Sequence, residues 1–288
     1  MGTLRLSAEG AVKRGLSPAI WQAYNFIGGN FDDPSLFPFF FDDFENLGLM
    51  ASATSQGGYI TYQDSGVTIQ QAAAADNSEG EFGVLEVAGN DAEDDEGSIE
   101  LGGGTAGLVR IDDTAGERSV VAFEARIKRT TVTDDHTCYA IGLGEPAFAA
   151  ADAIITDTGV LVAAGKDFVG FQTLFESNEE IDAVYMIGSG STVQVTDNAA
   201  TDVADTWIKL GIVYDPGAEA NKKVKFFIDG AEISYDTAVT DAVIAAGTAF
   251  PTDEELTPVF LTKNNTQDTT AHPAYMDWWA VGSYCVDT

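Results

Sequence analysis

Residues 206–233, TWIKLGIVYDPGAEANKKVKFFIDGAEI, constrain the fold most, because apolar side chains recur at every second position on both sides of a polar turn. Ile208, Leu210, Ile212 and Tyr214 fall on one face of a first strand, and Val224, Phe226 and Ile228 on one face of a second. A period of two is the signature of a pleated strand with one buried face, and it does not fit a helix. Lys209, Lys223 and Lys225 take the alternate positions and are expected to meet water. Asp229-Gly230 readily supplies the positive φ angles of a two-residue hairpin.

The same alternation recurs along the chain. In SVVAFEARIK, Val121, Phe123, Ala125 and Ile127 alternate with Glu124, Arg126 and Lys128, giving a second strand with one buried and one wet face. About a dozen short segments of this kind, separated by Gly, Asn, Asp and Ser, imply an all-β chain of two packed antiparallel sheets. Residues 240–256 are the one place expected to turn helical, with Pro251 as a helix start. Residues 1–38 read differently. Pro18, Pro34, Pro38 and the Gly28-Gly29 pair suit an irregular N-terminal arm, so the sandwich is expected to occupy 39–288.

The chain carries 46 acidic and 14 basic residues, a formal net charge of −32. Such a surface repels nucleic acid and anionic membranes, and it suits a saline setting, where the Debye length falls to about 3 Å at 1 M salt. No apolar run is long enough to span a bilayer, and the first thirty residues hold no export-signal core. Arg5, Lys13 and Arg14 lie near the start and the next basic residue is Arg110, which attaches a mildly cationic arm to an anionic body. Cys138 and Cys285, the two cysteines, sit in strand-like segments; sequence alone does not fix whether they pair.

Chemistry-bearing motifs are sparse. Glycoside hydrolysis needs two carboxyl groups about 5 to 9.5 Å apart. Glu180-Ile181-Asp182 comes nearest to a paired-acid strand but has no second glutamate, and it reads as strand-edge solvation. The run from Asp91 to Gly97 is rich in oxygen, yet its glycine falls one place late for a calcium loop. His136 and His272 are the two histidines, far apart in sequence and short of a third zinc ligand. Gly102 to Gly107 spells G-x-G-x-x-G but runs into GLVRI, a strand where a dinucleotide site needs a helix. Neither a cofactor nor a metal is therefore expected. Trp278 and Trp279, beside Tyr275 and Tyr284, are the candidates for stacking on a sugar ring.

The W-x-K-L strand followed by a strand ending in Asp-Gly resembles the hairpin of concanavalin A-like, laminin-G-like jelly rolls. EGAVKRGLSPAIWQ followed by FFFDDF, then SIELGGGTAGLVRI and FEARIKRTTVTDDHTCYAIGLGE, resemble tailed-bacteriophage virion proteins that carry such a jelly roll. The resemblance, with the missing E-x-D-x-E glucanase strand, implies a non-enzymatic virion structural protein, a decoration or cement protein on the capsid exterior. Its partner would be the major capsid protein, with trimers expected at threefold positions. Arg5, Lys13, Arg14, Pro18, Ile20 and Trp21 are the residues assigned to docking, with Trp21 as aromatic anchor. The alternative is a glycan-binding, lectin-like module on a virion or cell surface, and a glycoside hydrolase is the third reading.

Overall fold

The computed structural model of the chain describes residues 15–24, 26, 39–45, 55–56, 58–64, 66–73, 83–89, 95–102, 104, 106–114, 117–134, 136–148, 155–156, 161, 165–177, 179–188, 193–247, 250–252, 254–265 and 272–286. Among them seventeen strands, numbered in chain order, make two antiparallel sheets. Sheet A runs β15 (Ala231–Glu232), β14 (Val224–Ile228), β13 (Ile208–Tyr214), β8 (Ser119–Arg129), β17 (Ala274–Cys285), β5 (Leu85–Ala88) and β4 (Thr68–Gln71), with β1 (Phe39–Asp42) also on β17. Sheet B runs β12 (Val193–Thr201), β11 (Glu180–Met186), β10 (Phe168–Gln172), β9 (Thr137–Gly144), β16 (Glu254–Asn264), β6 (Glu96–Leu101), β3 (Tyr59–Gln63) and β2 (Ser55–Gln56), with β7 (Val109–Ile111) on β16. This is the two-sheet sandwich that the alternation predicts.

The hairpin forms in the expected register, with Leu210 opposite Ile228 and Ile212 opposite Phe226. Asp229 and Gly230 both take positive φ, 50° and 78°. Its apolar face joins Val121, Phe123, Ala125 and Ile127 of β8 and meets Tyr139, Ile141, Val169 and Phe171 of sheet B between the layers. Phe171 and Phe226 cross that interface edge to face, 5.5 Å apart. Fully burying an aliphatic or phenylalanine side chain contributes roughly 1.5–3 kcal/mol, so this layer dominates stability. The six-residue helix lies at Asp241–Ala246, with the Thr240 hydroxyl accepting the Val243 N–H and Gly247 closing it at φ 61°. Pro251 follows this helix and does not start it; Thr240 provides the side-chain cap that proline lacks.

The faces expected to be wet are so only in part. Lys128, Lys223 and Lys225 stay partly exposed, but Lys209, Glu124 and Arg126 are buried: the segment read as an arm lies over Glu124 and Lys209, and Arg126 pairs with Asp277 and lies over the Trp207 ring. A helical turn, α1 (Pro18–Trp21), puts Ile20 and Trp21 against Val120, Ala122, Val213, Phe227, Trp278 and Ala280. The Trp21 indole N–H donates to Glu124 Oε2 at 2.7 Å and the Ser17 N–H to the same oxygen at 2.9 Å. Lys209 Nζ donates to Ser17 Oγ at 2.7 Å and to the Gly15 carbonyl at 3.2 Å. Burial pushes the Glu124 carboxyl above its ordinary range, against the pull of these donors and of Lys209; burial lowers the Lys209 ammonium.

The residues assigned to docking are found in different settings. Ile20 and Trp21 anchor the chain to itself, Pro18 is exposed, and Arg5, Lys13 and Arg14 lie outside the described residues. Replacing Trp21 with Ala removes a buried ring and one donor to a buried carboxylate. We expect a loss of about 3–5 kcal/mol, read as a lower midpoint in urea denaturation. A variant as stable as the parent would show that α1 does not hold this position in solution.

Candidate functional site

The outer face of sheet B is apolar, and the chain covers it. Cys138 and Ala140 of β9, Phe168 of β10, Val184 and Met186 of β11, and Val259 and Leu261 of β16 pack with Phe148, Ile155, Leu161 and Phe175 in a second apolar cluster. Phe148 and Phe168 stack 5.5 Å apart at 29°. Glycines make this possible. A Cβ on Gly144 would meet the Phe148 ring at 3.0 Å, and one on Gly170 would meet the Phe168 ring at 2.5 Å and the Ile141 carbonyl at 2.3 Å.

Strand β6 turns Glu96, Ser98 and Glu100 to this same side, and all three are buried. The Ile155 N–H donates to Glu96 Oε2 at 3.3 Å and the Ala147 N–H to Glu100 Oε1 at 2.9 Å, while Lys263 Nζ donates to the Ile155 carbonyl at 2.9 Å. A search for E-x-D-x-E passes over this acid pair because Ser98 stands between the glutamates. The signal that could have found it is period two within EGSIEL. Four residues along a strand set their Cα atoms about 13 Å apart, and the overlying main chain engages both carboxylates.

At the margin of the closed face lies a polar cleft of about 510 Å³, lined by Gly104, Arg110, Glu145, Pro146, Ala147, Lys166, Glu254 and Glu255. Lys166 Nζ donates to Glu145 Oε1 at 3.2 Å and to the Pro146 carbonyl at 2.6 Å. Glu255 Oε2 accepts the Gly107 N–H at 3.1 Å. Beside the cleft, the Asp167 N–H donates to Glu145 Oε2 at 3.4 Å and its carboxylate accepts the Gly188 N–H at 2.7 Å. Burial pushes the Asp167 carboxyl up and the charge of Glu145 adds to the push; the Gly188 N–H and Lys166 oppose it. The cleft thus offers carboxylate acceptors and ammonium and guanidinium donors at one opening, drawn from four separate stretches of sequence.

The tryptophans named for stacking face opposite sides of sheet A. Trp278 is 3% exposed, on the outer side near the Phe41 ring, and Trp279 is fully buried between the sheets with Phe44 and Tyr59. Neither offers a free ring face to a sugar. Glu180 and Asp182 both accept from Asn198; β11 lies between β10 and β12 and Asp182 is buried, so the strand-edge solvation expected of the pair does not hold for Asp182. His136 and His272 are brought ring to ring, 4.6 Å apart, and the described residues hold no group of three His, Cys, Asp or Glu side chains arranged for a metal. Asp91 to Asp94 lie outside the described residues. No disulfide joins the two cysteines; Cys138 is buried and Cys285 exposed. Val109–Ile111 after the glycine run is a strand, as expected.

No protein-family model and no curated protein matches the chain. Solved structures do. A protein of unknown function from Shewanella oneidensis MR-1 aligns with a TM-score of 0.52 at 13% identity over 87% of both chains. Peanut lectin aligns at 0.51 and 14% over 88% of this chain and 99% of its own. An endo-1,3-β-glucanase from Streptomyces sioyaensis aligns at 0.51 and 15% over 88% and 98%. At such identities the likeness shows the fold alone, and it carries no information on a virion origin. The expectation of a non-enzyme is overturned, since it leaned on a missing motif while the fold is shared with glycan-cleaving enzymes. The chain is a concanavalin A-like jelly-roll sandwich, a fold of lectins and glycoside hydrolases.

Two measurements check this site. Gly170→Ala places a methyl against backbone as well as a ring, so a loss of roughly 1–3 kcal/mol in chemical denaturation is expected, and no loss would mean that Phe168 does not lie on the sheet. Because the folded Asp167 carboxyl lies above its ordinary value, the folded chain holds the extra proton in the window above pH 3.8, and this group's contribution to stability falls as pH rises through it. Asp167→Asn should flatten that part of the stability profile; a wild-type-minus-variant difference constant from acid to neutral pH would contradict the assignment.

Proposed function

We propose that the protein recognises carbohydrate through the polar cleft beside β16, with Arg110, Lys166, Glu145 and Glu255 as the groups that meet sugar hydroxyls. The observation that carries this reading is the combination of a lectin and glycanase fold with a face covered by Phe148 and Phe168 and, at its margin, a polar opening of ligand size. Carboxylates accept from hydroxyls and the two cations donate to them, the complement a polyol requires. A glycan array followed by titration calorimetry tests it. Saturable binding should weaken at least tenfold in Glu145→Gln and Arg110→Ala, and a reducing-end assay on the same glycans reads turnover. Binding that is absent across the array, or unchanged in both variants, would overturn the reading.

A second reading, favoured by a different observation, seats the protein on a phage capsid with the major capsid protein as partner. Phe39, Phe41 and Leu108 are 38–39% exposed on a chain of net charge −32. An apolar rim on so acidic a body suits a contact surface. The protein should then appear in capsids in a mass-spectrometric inventory of purified particles, in copy numbers divisible by three. Its absence would remove this reading and leave the first untouched.

A further inference from the structure

Among the described strands, β1 is an edge of sheet A. Among the described residues β1 pairs with β17 alone, Phe39 opposite Gly282 and Phe41 opposite Ala280, which leaves the main-chain groups of its other side without a ladder. Soluble proteins blunt such edges with lysine, proline, bulges or a covering segment. Phe39–Asp42 holds no lysine or proline, its register on β17 is regular, and no described strand pairs with its other side; its exposure alternates with Phe39 and Phe41 outward. The two rings are braced from behind, Phe39 edge-on to Trp21 at 5.3 Å and Phe41 5.9 Å from Trp278. Phe39 also shares a small apolar cavity of about 110 Å³ with Leu108, Val109 and Val281. Fixed rings, a cavity and a row of main-chain donors and acceptors are the three components of strand-addition recognition.

Charge selects the occupant. Two copies meeting at this edge would bring together bodies of −32 each, and β1 runs directly into Asp42, Asp43 and Glu45. A second copy is therefore opposed, whereas a segment that alternates apolar and basic residues is drawn in. We propose that β1 is a docking strand for an extended, apolar segment of another protein bearing lysine or arginine at alternate positions, added to sheet A as a further strand. This inference rests on the protein-partner reading above, but it concerns the mode of contact and holds for a partner outside a virion as well.

The probe is a synthetic heptapeptide alternating lysine and valine, titrated by fluorescence anisotropy against the full chain, with a glutamate-valine peptide and a lysine-valine peptide N-methylated at alternate residues as controls. The lysine peptide should bind saturably, weaken as salt is raised, and slow hydrogen exchange at Phe39–Asp42. Both controls should bind at least tenfold more weakly. Phe39→Ser with Phe41→Ser should lower affinity at least tenfold while the thermal midpoint stays close to that of the parent; if the double variant proves unstable, Leu108→Ser alone, which shrinks the cavity wall, should still lower affinity. Failure of the lysine peptide to saturate, equal binding by the N-methylated peptide, or slowed exchange somewhere other than β1 would overturn the inference. Peptide binding by a protein absent from particles would remove the capsid reading only; presence in particles without peptide binding would remove the strand-addition inference only.

Discussion

Each sheet of this sandwich is apolar or buried on both faces, and the rest of the architecture answers that constraint. A sheet packed on one side and wet on the other needs no more than its partner sheet. Here the outer side of sheet A carries Ala122, Val213, Phe227 and Trp278, and the outer side of sheet B carries Phe168, Val184, Val259 and Leu261, so each needs a cover. The covers are α1 and the stretch containing Phe148, Ile155 and Leu161. Both follow the same chemical logic: apolar side chains fill the surface while buried carboxylates take main-chain or indole N–H groups of the cover, Glu124 under α1 and Glu96 and Glu100 under the other. A buried carboxylate left without those donors costs far more than the hydrogen bond itself is worth, so each acid ties its cover to its sheet.

Covering both faces decides where a ligand can be met. The broad outer face of sheet B is covered by a phenylalanine stack seated on glycines. Among the described residues, two open features lie at the periphery: the charged cleft at one margin and the β1 edge of sheet A. The two differ in chemistry as much as in position, one lined by paired charges and the other by aromatic rings and unladdered main chain.

The inner core was legible because it obeys a local rule. Alternation in β8, β13 and β14 gave the two-sheet sandwich and the residues facing inward, and Asp229-Gly230 gave the turn. The outer faces were not, because their fate is decided over more than a hundred residues. Lys209 alternates with apolar neighbours as a solvated lysine would; it is buried because Ser17, 192 positions earlier, lies over it. Glu124 reads as the wet side of β8 for the same reason. Trp278 and Trp279 are adjacent, so period two sends them to opposite faces whatever their role, and a register shift between Met276 and Trp278 hides which goes where. The cleft had no sequence signature at all, since Arg110, Glu145, Lys166 and Glu255 belong to separate strands or loops that only the topology joins.

The position of β17 has a consequence for how the molecule comes into being. It lies inside sheet A, flanked by β8 along its whole length on one side and by β5 and β1 on the other. During synthesis it is made after every other described strand, so β1 and β5 wait for it with no neighbour on the side that will face β17. Until it arrives, sheet A exists as three pieces, β15-β14-β13-β8, β5-β4 and β1, and the inner layer has a missing plank beside Phe123 and Leu85. A nascent chain of this topology spends most of its translation time with exposed apolar strands, and it reaches a closed sandwich only in one late, long-range step. Its heavy negative charge then has a use before any partner is met, since mutual repulsion keeps such half-built chains from pairing with one another.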